Sequence, residues 1–381
     1  MNQTVSEAHI RSGQSSADDP RIAVEELFRA IGQPDTALVV FFCSNKFAPD
    51  ALAAELNAHF GDTPVIGCTT AGEIGPAGYL ADSISGFSLP ASQFTVASGL
   101  IEDLQHFQIS RGRNFTQDLL RSLEDKGTVG DIAQTFGFLL IDGLSIREEP
   151  VARTIQSELG DIPMFGGSAG DGLGFQRTRV FHGGAFHNDA AVFTLINTAL
   201  PFQIFKTQHF VCEEERLVVT EADPDHRIVY EINGLPAAEE YARLVGTDIE
   251  HLNPAHFAAS PVVVVIDGTD YVRSIQKVNP GGSLTFYSAI DEGLVFRVAR
   301  GEDLLGNLKT TLTSLTEQIG APQLLITCDC ILRNLEMSET GLKASVSDLL
   351  KDCHAVGFST YGEQFNGAHV NQTLTGIAIG R

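Results

Sequence analysis

Apolar positions along the chain fall into a rhythm that returns three times. Val24, Leu27, Phe28 and Ile31 share one helical face, with Asp19 as cap, Pro20 at the first position and Gly32 as the stop. An unbroken apolar run at 37–43 follows and reads as a strand buried on both faces. A second helix over 50–60 carries Leu52, Leu56 and Phe60 on one stripe and ends at Gly61. A short strand at 64–66 then enters GCTTAGEI (67–74), and 83–89 form the next strand.

The same order recurs. A helix over 115–126 precedes a buried strand at 136–141 and a helix over 148–159, stopped by Gly160. Residues 163–165 enter GGSAGDGL (166–173), and strands follow at 177–181 and 190–196. The third round has a helix over 303–319 with Leu304, Leu308, Leu312, Leu315 and Ile319 aligned, a strand at 323–327 and a helix over 342–351. GFSTYGEQ (357–364) and a last strand at 373–379 complete it. Between the second and third rounds, 200–300 consists mainly of short alternating segments, with a turn at Asn233-Gly234 and a helix opened by Pro236. It reads as an α+β insertion or the front of a second domain.

The expected fold class is therefore α/β: repeated helix-strand-helix-strand units forming mixed sheets with flanking helices, in two lobes. Polar residues 1–20 predict a disordered tail, 21–222 an N-terminal domain and 223–381 a C-terminal one, with the boundary near the DPD at 223–225.

The turns hold the candidate chemistry. G-x-[ST]-[TA]-x-G-[ED] occurs at 67–73 and 357–363, with a shorter relative at 166–171. Closely spaced glycines admit positive φ, and successive N–H groups can form an anion nest. Glu73, Asp171 or Glu363 at the turn ends could hold an amine or orient a turn amide. The alternatives are a polar ligand pocket and the tight packing of sheet connections. No Gly-Lys-Ser/Thr follows, so none of the turns is a phosphate loop. His187 and His369 occupy similar places in the matching tails FHGGAFHND (181–189) and FNGAHVNQT (365–373). Cys328 and Cys330 follow a strand without a further Cys/His pair at zinc spacing. Asp142 and Asp329 close apolar strands, yet no nucleophile elbow or Ser/His/Asp set accompanies them, and the chain is not expected to be an enzyme.

Composition narrows the partners. The 381 residues, 43% of them hydrophobic, carry a net charge of −23, which repels phosphate backbones and anionic lipid and excludes nucleic acid and membrane surfaces. The longest purely apolar run, 261–266, is far short of the ~20 residues of a membrane span. The polar start lacks a signal-peptide core and the six cysteines form no framework, so a cytoplasmic location is expected.

On GCTTAGEI, DGLSIREE (142–149), MFGGSAGD (164–171), VYEINGLPAAEEY (229–241), YVRSI (271–275), CDCILR (328–333) and GFSTYGEQFNGAHVNQTLTG (357–376), the chain resembles the FIST family of bacterial sensory proteins. The resemblance implies an input module that binds a small molecule and signals to a histidine kinase or a cyclic-di-GMP enzyme in trans. One branch of that family, the nitric oxide sensing haem proteins, stands without an attached output segment, as this chain is expected to. A likeness to that branch implies haem b, with His369 as the iron ligand and Tyr361, Glu363, His187 and Cys330 as further candidates around it. The other implied reading is a haem-free sensor of a small metabolite such as an amino acid.

Overall fold

The apolar runs become central strands because both of their faces are covered. The computed structural model describes residues 9–127, 132–266 and 269–381. In each repeated unit an edge strand absent from the sequence pattern precedes the first helix. In the first unit this is Arg11–Ser15, followed by helix Pro20–Ile31, central strand Thr36–Ser44, helix Pro49–Phe60, second strand Val65–Thr70, hairpin Glu73–Gly75/Gly78–Leu80 and return strand Ile84–Pro90. The second unit has Phe94–Ile101, Ile109–Glu124, Thr135–Ile141, Glu148–Leu159, Met164–Ser168, hairpin Val180–His182/Ala185–His187 and Ala191–Thr198. The third has Phe202–Thr207, Leu304–Ile319, Leu324–Cys330, helices Ile331–Glu339 and Lys343–Asp352, Ala355–Thr360, hairpin Glu363–Phe365/Ala368–Val370 and Leu374–Ile379.

Among the described residues each unit builds a six-stranded mixed sheet in one order: edge, return, central and second strand, then a hairpin. Central and second strands run parallel. The hairpin is never the unit's own. The first unit's hairpin joins the third unit's sheet, the third's joins the second's, and the second's joins the first's. Thus three sheets are locked in a closed cycle. Their inner faces meet in one core, where Phe42 stacks on Phe358 at 4.7 Å and Phe138 on Phe165 at 4.8 Å. Their outer faces are covered by their own helices, through clusters such as Val151, Ile155 and Phe193.

The first glycine of every turn is demanded by this ladder. A Cβ at Gly67 would lie 2.5 Å from the Phe41 carbonyl oxygen, at Gly166 2.2 Å from that of Leu139, and at Gly357 1.9 Å from that of Thr327. Each is paired with the incoming hairpin, at Phe181, Gln364 and Ile74 respectively.

Residues 210–301 enter as an insertion after the third edge strand. They form a nine-stranded sheet with helices Ala237–Val245 and Pro254–Ala259, around a core of their own that includes Tyr241, Phe257, Phe286 and Phe296.

Three expectations change. Arg11–Ser15 is a strand paired with Ile84–Ser88, not part of a disordered tail, because backbone pairing needs no apolar side chains and Gly13 lets Ala30 approach. Residues 1–8 of that expected tail lie outside the described residues. The boundary at 223–225 runs through the hairpin of Leu217–Asp223 with Ile228–Ile232. Ile331–Glu339 is an unforeseen helix.

Replacing Gly166 with Ala should cost about 3 kcal/mol, since backbone rather than a flexible side chain is struck. Urea unfolding reads this directly, and a loss below about 0.5 kcal/mol, the scale of a neutral surface change, would contradict it.

Candidate functional site

The three turns meet, but they spend their polar groups on one another. The N–H of Ala71 donates to the Ser359 carbonyl at 2.9 Å, that of Gly170 to Thr69 at 2.9 Å and that of Tyr361 to Ser168 at 3.2 Å. The reverse bonds run from Ser359 to Gly72 at 2.7 Å, Thr69 to Arg179 at 2.9 Å and Ser168 to Gly362 at 2.8 Å. Amides that would line an anion nest are therefore used to close the ring.

The turn acids are also engaged. Glu73 accepts from Thr70 Oγ1 and from the amide and hydroxyl of Ser83, at 3.0 and 2.7 Å. Glu363 repeats this with Thr360 and Thr373. Burial pushes these carboxyls up to about 7 and about 8, against the lowering effect of their hydroxyl partners. The ladder aligns Val180, not Asp171, with Glu73 and Glu363. In the second unit Ala169, Val180 and Ala190 thus replace a buried hydroxyl–carboxyl–hydroxyl set by three apolar groups. Asp171 instead ties its own loop together, accepting from the amides of Phe175, Gln176 and Arg177 at 2.7–2.8 Å and from the Tyr361 hydroxyl.

His187 and His369 are not counterparts. His187 pairs with Val180, whereas Val370 pairs with Glu363, so His369 corresponds to Phe186 and faces the other way. His187 sits half-buried in the first sheet with Nε2 3.1 Å from the His182 carbonyl. His369 is buried in the second sheet, its Nδ1 accepting from Gln364 Nε2 at 3.2 Å and its Nε2 without a partner. Burial, opposed by Glu149, pushes its imidazole down to about 4 and keeps it neutral.

That setting does not fit haem. A single Cβ on Gly362 would lie 2.3 Å from His369 Cε1 and 2.7 Å from Nε2, so the ring is wedged against backbone. The His369 carbonyl accepts from Arg273 Nη1 at 2.6 Å, and Glu149, Arg227 and Arg273 supply its electrostatic surroundings instead of an apolar slot for a macrocycle. Tyr361 donates to Asp171 and Gly172, Glu363 is held as above, and burial pushes the Cys330 thiol up, away from the thiolate a metal needs. Asp329, which had no evident partner in the sequence, is a buried ion-pair member with Arg333 at 2.7 Å and also accepts from the Tyr79 hydroxyl.

An open polar cleft lies instead at the carboxyl end of the second unit's parallel pair, the end at which open α/β sheets take ligands. It measures about 480 Å³ and is lined by Gln105, Asp142, Ser145, Arg177, Arg179 and Asp189, among others. Asp142 ends the central strand. Its carboxylate accepts from Thr178 Oγ1 and from the amides of Leu144 and Asp189, at 3.0 and 2.6 Å, while burial pushes the carboxyl above its usual range. Neither Arg177 nor Arg179 forms a side-chain ion pair among the described residues. The first unit has a smaller cleft of about 310 Å³ at the matching place, with Lys46, Asp82 and Ser44 in its wall. In the third unit that place is covered by the insertion: Gln372 Nε2 donates to the Ala258 carbonyl at 2.6 Å and Ser288 Oγ to Asn371 Oδ1 at 2.5 Å.

The sequence singled out Asp142 but not the arginines. The Arg-Thr-Arg of 177–179 is their only signal, and in the sequence it reads as the start of the strand at 177–181.

Three exchanged α/β units and an inserted domain define a repeat-built α/β module with strand-end clefts in its first two units. The chain belongs to the FIST family, with the FIST N domain matching residues 37–235 and the FIST C domain residues 237–366. Membership carries a sensory, signal-transducing role. An uncharacterised protein of Methanocaldococcus jannaschii is 23% identical over 225 residues, which cover 58% of this chain. The match spans 43% of that protein's own length. No helix among the described residues is long and apolar enough to cross a membrane.

Two outcomes follow for the buried groups. Glu73 and Glu363 bind protons more readily folded than unfolded, so their contribution is full below pH 4.5 and is lost as pH rises through about 7 and 8. The Glu73→Gln, Glu363→Gln protein should lose part of the decline in melting temperature between pH 5 and 8.5; an unchanged slope contradicts these assignments. Titration with haemin should give no saturable Soret band that depends on His369, and a band abolished by His369→Ala would show that haem is accommodated there.

Proposed function

We propose that this chain is a FIST sensor of a small zwitterionic metabolite of the amino-acid class, held in the second unit's cleft. One observation carries the reading: Arg177 and Arg179 line a cleft that also contains Asp142 and Asp189. Guanidinium groups pair with carboxylate through planar, two-point hydrogen bonds, and the opposing carboxylates suit an ammonium. In a chain of net charge −23, two arginines that pair with no carboxylate among the described residues favour an anion at this cleft. The volume, about 480 Å³, lies within the range of small-molecule sites. Bond donors at hand include Gln105 and Ser145. The family's sensory role supports an output in trans, on a histidine kinase or a cyclic-di-GMP enzyme.

A thermal-shift panel of the common L-amino acids tests this. A ligand at one hundred times its Kd stabilises the native state by about 2.7 kcal/mol, which a melting curve resolves. At least one member should raise the melting temperature, and the Arg177→Ala, Arg179→Ala protein should bind it at least tenfold more weakly. A panel without any shift, or equal binding by the double variant, would overturn the reading.

A further inference from the structure

The cleft and the inserted domain share one short piece of chain. Asp142 and Ser145 line the cleft. Three and four residues after Ser145, Glu148 and Glu149 open the second helix of the unit. Both grip Arg227 of the inserted domain: its Nη2 lies 2.6 Å from Glu148 Oε2 and 2.6 Å from Glu149 Oε2. Glu149 Oε1 also accepts from the Ala289 amide at 2.9 Å, and Arg227 Nη1 donates to the Tyr287 carbonyl at 2.5 Å. Arg227 and Glu148 are buried, so this clasp is shielded from water and its geometry matters.

Between cleft and clasp stands Ile146, at φ 56°. A β-branched residue is a genuine outlier in the left-handed region, at a cost of order 1–3 kcal/mol that its surroundings must sustain. The constraints sit on both sides. Gln105 Nε2 donates to the Ser145 carbonyl at 2.6 Å, and Ser145 Oγ accepts from the Arg147 amide at 3.3 Å. Gln105 is itself a cleft residue, with its amide held by Asp189. Any occupant that competes for Gln105 or Ser145 therefore acts on the constraint that keeps Ile146 in this conformation. Relaxing Ile146 redirects the first turn of the helix, where Glu148 and Glu149 stand.

We propose that residues 142–149 are a strained coupler, and that filling the second unit's cleft loosens the grip of Glu148 and Glu149 on Arg227, freeing the inserted domain that covers the third unit. The natural trigger rests on the cleft ligand proposed above; the coupling rests on the connection itself. Because coupling is reciprocal, weakening the clasp also alters affinity in the cleft.

The Ala289 amide, bonded to Glu149, is the reporter. In the full chain with Cys212→Ser and Cys353→Ser, a Gln176→Cys substitution places a thiol in the cleft wall. Labelling it with 2-sulfonatoethyl methanethiosulfonate fills the cleft without any natural ligand, and mass spectrometry confirms the label. Hydrogen exchange at the 287–289 segment should become at least threefold faster on labelling. In the same background carrying Glu149→Gln, exchange should be fast already and the label should add nothing. Unchanged exchange in the labelled protein, or an equal response after Glu149→Gln, overturns the coupler. If no amino acid binds yet the label still speeds exchange, the ligand reading falls and the coupler stands. If an amino acid binds while neither it nor the label alters exchange, the coupler falls and the ligand reading stands.

Discussion

The structure depends on the cyclic exchange of three hairpins. Each sheet is completed only by strands from another unit, and the last handover returns to the first. Pairing across the turns uses the same backbone bonds three times, at Ala71–Ser359, Gly170–Thr69 and Tyr361–Ser168. No unit can therefore finish its sheet alone. The common core has the same character, since Phe42 of the first unit stacks on Phe358 of the third. This cycle accounts for the turn glycines, which admit a neighbouring carbonyl, and for the buried Glu73 and Glu363, which fasten each turn to its return strand.

Much of this architecture was legible because periodicity survives wherever a face is buried. The helices at Pro20–Ile31, Glu148–Leu159 and Leu304–Ile319 and the central strands follow their apolar patterns closely. The edge strands were not. Arg11–Ser15 is polar because its stability lies in backbone pairing and in the close packing of Gly13 on Ala30. The exchange was invisible as well, for a three-residue hairpin carries no mark of whose sheet it joins. The position of the second unit's acid was misread for a related reason. An insertion separates Ser168 from Val180, and only the ladder shows that Val180 takes the place of Glu73.

For the site, residue chemistry without register proved a poor guide. Turn motifs rich in donors suggested a nest, but the donors face neighbouring turns. His369 looked like a counterpart of His187, and a single residue of register separates them. Asp142 reads from the sequence as a strand-end acid, which is a positional property and survives folding. Its companions in the cleft, Arg177 and Arg179, come from the loop that the second unit alone inserts before its hairpin.

That loop explains why the three copies differ in use. Threefold repetition supplies three strand-end clefts of the same origin, and divergence has treated each differently. The third is roofed by residues 210–301, through Gln372 and Asn371. The first stays small and keeps the buried hydroxyl–carboxyl set of Thr70, Glu73 and Ser83 beside it. The second exchanged that set for Ala169, Val180 and Ala190, and so no longer needs polar side chains to fasten its turn. Its lengthened loop is held by Asp171 instead, which leaves Arg177 and Arg179 in the cleft wall. Polar groups absent from the ring interior are found in the cleft wall, beside a segment that also clasps the inserted domain. The copy most altered in its turn is thus the copy whose cleft stands beside the clasp of Glu148 and Glu149 on Arg227, while the two that kept Glu73 and Glu363 fasten their turns to their return strands.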